Sequence, residues 1–198
     1  MCRKFDRVFD LISKWEQVGK RIRSDCSNGL LGKETHDAAV VALLIYSTGM
    51  RPGRDGNETA GEPTYGASTV TGDHVIFSGN NVRLRFIGKK GVQQDVLIPD
   101  PWLTNWFKSK SAGPDEQVFD VRTSVLSGYF KSLGGWNPKE FRTAVGTMLA
   151  KRLIAESPLP DERRERKKAI RSIAEHVAKI LGNTPAVAKR SYIPPELW

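Results

Sequence analysis

Apolar residues recur at helical spacing along the start of the chain. Phe5, Val8, Phe9, Ile12 and Trp15 share one face of a helix, which the run SNGLLG interrupts. A second helix is predicted from Lys33 to about Thr48, where AAVVALLIY lies, and Gly49 stops it. Residues 51–72 are rich in glycine, proline and threonine and read as loop. The period then changes. HVIF and VRLRFI are β-formers, SGNN between them is turn chemistry, and GKKG is another tight turn before VQQDVLI. This predicts a small three-stranded antiparallel sheet within 74–98, with Lys89 at the tip of its second hairpin.

From Pro101 the helical period returns. PWLTNWF and VRTSVLSGYFKSL each read as a short helix. NPKEFRTAVGTMLAKRLIA opens with strong start signals: Asn137 as N-cap, Pro138 at the first position and Glu140 at the third. DERRERKKAIRSIAEHVAKIL reads as a helix with a solvated basic face, its apolar side carried by Ile170, Ile173, Val177 and Ile180, and Gly182 stops it. Thr184 and Pro185 then begin a last short helix leading to Tyr192. The expected fold class is mainly α (α+β), as a single domain over residues 1–198. It comprises a helical lead-in over 1–48, the sheet over 74–98 and a helical part over 101–198.

Hydrophobic residues make up 39% of the 198, which supports a packed core rather than a disordered chain. The formal net charge is +9. An excess of that size attracts polyanions through the summed field and counterion release, so a nucleic acid is the first partner to consider. Cys2 and Cys26 form no C-x-x-C pair, and His36, His74 and His176 are scattered, which argues against a zinc site or a disulfide framework. The thiols are expected to be free, in a reducing compartment. MCRKFDRVFD lacks a signal-peptide core, and AAVVALLIY is too short to span a bilayer. The expectation is an intracellular protein with no membrane partner.

Four stretches, TGMRPG, FIGKKG, PKEFRT and LGNTPAVAKRSY, each put a cation or polar donor at an element boundary, where phosphate contacts are commonly made. In that order, with tyrosine last, they resemble the active-site pattern of type IB DNA topoisomerases, above all the compact bacterial and viral branch. YGASTVTGDHV is similar to the stretch that follows the family's first arginine. The resemblance runs from about Leu43 to Tyr192. It implies the fold of the DNA breaking-rejoining enzymes, which tyrosine recombinases share.

The chemistry explains the residue types. Transesterification needs a nucleophile that conserves the phosphoester bond, and a tyrosine hydroxyl does so as a phosphotyrosine ester. Charge gathers on the non-bridging oxygens in the transition state, where arginines clamp it bidentately. The departing 5′ oxygen needs a general acid. The resemblance assigns Tyr192 as nucleophile, Arg51 and Arg142 as the clamping arginines, Lys89 as the acid, and Asn183 as a phosphate donor where many members have histidine. It also implies duplex DNA as partner, a monomer in action, no metal or other cofactor, and a cytoplasmic, nucleoid-associated or virus-infected-host setting. Arg54, Tyr65, His74, Lys90, Lys139, Lys189 and Arg190 are expected to contact DNA around the site.

Alternatives remain at this stage. Arg54, within RDGNE, competes with Arg51 for the first arginine; TGMRPG follows the apolar helix directly and favours Arg51. Taken singly, Arg51 reads as a helix-end cation, Arg142 as a surface ion-pair partner, Tyr192 as a packing residue and His176 as structural. Tyrosine recombinases usually carry histidine two residues before the second arginine, here Glu140, and after the glycine that Gly182 matches. An idle duplex-binding module is a further reading. Members normally have a β-rich clamp domain ahead of the catalytic one. The residues before Arg51 read as helices instead, so the clamp is expected to be absent.

Overall fold

A computed structural model describes residues 3–54, 58–59 and 61–198. Among these, eight α-helices surround a small antiparallel sheet, so the fold is mainly α. The first predicted helix is two: α1 (Arg3–Ser13) and α2 (Trp15–Cys26), parted at Lys14, whose backbone (φ −108°, ψ 8°) leaves the helical region. Apolar periodicity could not mark the bend, because Trp15 stays on the buried side of it and stacks on Tyr46 with ring centroids 4.3 Å apart.

Helix α3 (Lys33–Thr48) is the centre of the molecule. Every residue from Ala38 to Ile45 is fully buried, as an all-round apolar helix must be. Helices α2, α5 (Thr123–Ser132) and α6 (Pro138–Glu156) pack on it, and α1 lies on α6. The long loop after α3 contains a two-residue hairpin, β1 (Glu58–Thr59) with β2 (Glu62–Pro63). Its strands are too short to show alternation, so sequence pattern gave no sign of it. Asp55, Gly56 and Asn57, most of the RDGNE motif, lie outside the described residues, as does Cys2.

The three-stranded sheet has the predicted order and sense: β3 (Val75–Ser78), β4 (Asn81–Gly88) and β5 (Val92–Leu97). Val82, Leu84 and Phe86 face the core, and α4 (Pro101–Ser109) packs against β4. On the solvent side Arg83 and Arg85 both bond Asp95, at 2.7 and 3.2 Å. The β4–β5 turn is Lys89–Lys90–Gly91, with Lys90 in the left-handed region (φ 66°).

The last three helices form a second apolar cluster. Ala150 of α6 meets Ile173, Val177 and Leu181 of α7 (Arg163–Leu181) and Ala188 and Tyr192 of α8 (Pro185–Tyr192). Ile173 and Val177 are buried as predicted, but Ile180 is half exposed, and Ala174, Ala178 and Leu181 complete the buried side of α7. Helix α6 belongs to both clusters, through Phe141 and Ala144 on one side and Ala150 on the other. Arg142 stands at the joint.

Candidate active site

Each candidate residue is set by a local device. Gly49 ends α3 in the left-handed conformation (φ 68°), and the chain leaves toward Arg51. That exit is fixed by backbone contact with the segment 66–68: Ala67 N bonds Arg51 O at 2.8 Å and Ser68 N bonds Pro52 O at 2.6 Å. Gly66 permits the approach, since a Cβ there would meet Arg51 O at 2.7 Å. The capping box predicted for α6 is present. Asn137 Oδ1 accepts from Lys139 N and Glu140 N, and Glu140 Oε2 accepts from Asn137 N at 2.8 Å. This start places Arg142 on the second turn. At the far end, Gly182 stops α7 at φ 55°, and Thr184 Oγ1 accepts from Val187 N to open α8.

Arg142 is 4% exposed, so it is not the surface cation its sequence context suggested. Its guanidinium lies between two helix C-termini: Nη1 donates to Gly49 O at the end of α3, and Nη2 to Leu181 O at the end of α7. Helix C-termini carry partial negative charge, which stabilises a buried cation by up to about 2 kcal/mol in favourable geometry. Arg142 Nε donates to Tyr192 Oη at 3.1 Å, and its Cζ lies 5.2 Å from the centre of the phenol ring. Arginine has five N–H donors, so two remain beyond these three bonds.

Tyr192 is also 4% exposed. Burial is the largest single influence on its phenol and acts to raise the pKa. Arg142, by charge and by hydrogen bond, then Arg51 and the Asn183 side chain together outweigh it, leaving the group below its ordinary value. Burial draws the Arg142 guanidinium down, Tyr192 opposes this, and Arg51 adds to it. Arg51 Nη2 donates to Asn183 Oδ1 at 2.8 Å, and Asn183 Nδ2 donates to Leu181 O at 3.0 Å. Leu181 O thus holds both Arg142 and Asn183.

Arg51, Tyr65, Lys89, Lys139, Arg142 and Tyr192 line one open cavity of about 240 Å³. The structure therefore brings the five candidate catalytic residues together, four around the cavity and Asn183 on Arg51. Of the expected DNA contacts, Tyr65 and Lys139 line it and Lys90 is exposed beside Lys89. Arg54 is exposed and outside the lining. His74 stands behind Tyr65 rather than in the cavity: the rings meet edge-on at 4.3 Å, and His74 Nδ1 accepts from Thr71 N at 3.0 Å. Burial draws its pKa down, against the opposing charge of Asp73. Lys189 and Arg190 lie on the exposed side of α8, so the cations that reach Tyr192 are those distant in sequence. His176 is exposed on α7.

Two residues that sequence reasoning passed over hold Tyr192 in place. Thr147 is fully buried and its Oγ1 donates to Tyr192 O at 2.9 Å. Gly146 lies against the tyrosine, where a Cβ would come within 2.8 Å of Tyr192 Cβ. The signal was a glycine in the middle of the helix AVGTM, which marks a close approach.

Cys26 is a buried free thiol, its pKa pushed by burial up to about 12. Among the described residues no group of three or more His, Cys, Asp or Glu is placed to hold a metal ion, and no helix is long and apolar enough to cross a membrane.

A family model described as the catalytic core of eukaryotic DNA topoisomerase I matches residues 2–193. A DNA topoisomerase 1B of Acanthamoeba polyphaga mimivirus is 23% identical over 209 residues, covering 96% of this chain. The chain spans 62% of the length of that relative. With the match running from the first helix to the residue after Tyr192, this chain belongs to the family of the eukaryotic DNA topoisomerase I catalytic core.

Proposed function

We propose that this chain relaxes supercoiled duplex DNA as a type IB topoisomerase, by transient cleavage of one strand, swivelling and religation, without ATP or metal. The observation that carries the reading is the hydrogen bond from buried Arg142 to Tyr192 Oη, at the edge of a cavity that Arg51 and Lys89 share. A phosphodiester seated there meets the nucleophile, the clamping cations and the acid at once.

In the cleavage step Tyr192 Oη attacks phosphorus and its proton passes to solvent through the open cavity. The bond from phosphorus to O5′ breaks, and Lys89 supplies the proton that O5′ takes up. The product is a 3′-phosphotyrosyl ester and a free 5′ hydroxyl. Arg51, Arg142 and the Asn183 amide stabilise the charge on the non-bridging oxygens. Asn183 donates but does not titrate near neutrality, so it carries no proton between groups. Religation is the reverse: the 5′ hydroxyl attacks, returns its proton to Lys89, and the phenolate leaves. One chain supplies every group, which supports action as a monomer on one duplex; the proposed setting is the cytoplasm, nucleoid-associated, or a virus-infected host cell.

The recombinase reading is less well supported at Glu140. That side chain caps α6 and pairs with Arg7, and so is committed away from the cavity. The test is supercoiled plasmid incubated with chelator and no ATP. A ladder of relaxed topoisomers is expected. Unchanged plasmid with a gel shift identifies an idle binding module, and recombined products that appear only with paired sites identify a recombinase.

A further inference from the structure

Lys89 and Asn183 sit on different parts of the fold, and each follows a glycine. One side chain lies between those glycines. Gln94, half-buried on β5, shares a sheet face with Gly88, and a Cβ on Gly88 would stand 3.0 Å from Gln94 Cγ. Its carboxamide covers Gly182, where a Cβ would fall 2.6 Å from Gln94 Cδ. Gln94 Nε2 reaches back to Val92 O at 3.3 Å, next to the hairpin turn. Gln94 also lines, with Arg51, Lys89 and Gly182, a crevice of about 10 Å³, room for about one water.

We infer that Gln94 is a positioning residue for Lys89: a spacer wedged between Gly88 and Gly182 that sets the height of the hairpin tip over the helical body. The inference rests on the function proposed above. The two ends of the wedge are unequally secured. Asn183 is held independently, by its backbone N on Ala178 O at 2.9 Å, by its amide on Leu181 O and by Arg51. The side chain of Lys89 is exposed and, among the described residues, makes no hydrogen bond or ion pair. Its place therefore depends on how the hairpin is seated. Loss of the wedge displaces Lys89 and leaves the Arg51–Asn183 pair where it is. The bulk of the side chain does this work, with the bond to Val92 O keeping it folded over the turn.

The test compares single-turnover cleavage of two duplexes by the full chain, one with the natural 5′ oxygen at the scissile position and one with a 5′ bridging sulfur, which leaves without a proton. Gln94→Ala is expected to slow cleavage of the oxygen duplex by about tenfold or more, part of the roughly hundredfold or greater contribution of a positioned acid. It is expected to cleave the sulfur duplex within about threefold of wild type, since the acid is then not needed. Gln94→Met, of similar length, is expected to restore the oxygen rate. Equal slowing on both duplexes, an unchanged oxygen rate in Gln94→Ala, or no recovery in Gln94→Met overturns the inference. Melting curves on the same samples show whether equal slowing comes from unfolding, in which case Gln94→Met alone decides. If wild type forms no covalent adduct with either duplex, the topoisomerase reading itself fails and this inference goes with it.

Discussion

Arg142 Nε lies 3.1 Å from Tyr192 Oη, and the two side chains, fifty positions apart, are both buried. A phenol out of water would ordinarily be harder to ionise. Here the cation opposes burial, and the net result is a phenol below its usual range. The absorbance difference between wild type and Tyr192→Phe is therefore expected to titrate below the ordinary value of about 10. Because the pKa is lowered, phenolate builds up at lower pH than in a free tyrosine. Arg142→Gln keeps a donor but removes the charge, so it moves the titration upward, since burial then acts with less opposition. Tyr46, half-buried, is raised by burial, and Tyr129 by burial and then by Asp25; both cancel in the difference.

Arg51 and Arg54 stand three residues apart, yet only Arg51 lines the cavity and bonds Asn183. Arg51→Ala is expected to lose roughly ten- to thousandfold in cleavage rate, as other removed anion-stabilising groups do. Arg54→Ala is expected to change DNA affinity and its salt dependence more than the rate. Rapid-quench cleavage beside a binding titration separates the two; the reverse assignment of effects would exchange their roles.

Gly146 gives a test of how closely Tyr192 is held. An added methyl meets Tyr192 Cβ at 2.8 Å and Leu181 Cδ1 at 3.1 Å. Overpacking costs about 1–3 kcal/mol, while replacing a mid-helix glycine by alanine returns about 1 kcal/mol. Gly146→Ala is therefore expected to lower the melting temperature only modestly. Cleavage is expected to fall by about a hundredfold, the scale of a small misplacement of a reacting group. A variant that melts early yet cleaves normally would show that Gly146 serves packing alone.

Lys89 has a prediction of its own. Lys89→Ala is expected to slow cleavage by about a hundredfold or more when the leaving atom is oxygen and far less when it is sulfur. Equal slowing on the two would remove Lys89 as the acid.

Much of this was legible from residue order. Asn137, Pro138 and Glu140 announce the start of α6, Gly182 and Thr184 the passage from α7 to α8, and alternation in VRLRF the central strand. These are local signals, and local chemistry decides them. What stayed hidden depends on contacts distant in sequence. The burial of Arg142 follows from two helix ends that meet it from α3 and α7. Lys189 and Arg190 are the nearest cations to Tyr192 in sequence but lie on the exposed side of α8, and Arg142 and Arg51 are the ones that act on its phenol. His74 at a strand start gives no sign of the edge-on contact its ring makes with Tyr65. Ile180 fits a helical stripe by spacing but falls just beyond the side that α6 covers. Gly146 and Thr147 carry no motif, and only the arrival of α8 on that face of α6 gives them a role.

The central claim is that Tyr192 becomes joined to a 3′ phosphate. The most direct measurement is a denatured digest of the protein after reaction with duplex DNA. Trypsin cutting after Arg190 puts Tyr192 on the peptide that begins at Ser191, and it is the one tyrosine within Ser191–Trp198. The account predicts a nucleotide mass on that peptide, linked through the phenol, and none from Tyr192→Phe, which still binds DNA. A covalent adduct on any other peptide, or an undiminished adduct from Tyr192→Phe, would contradict it.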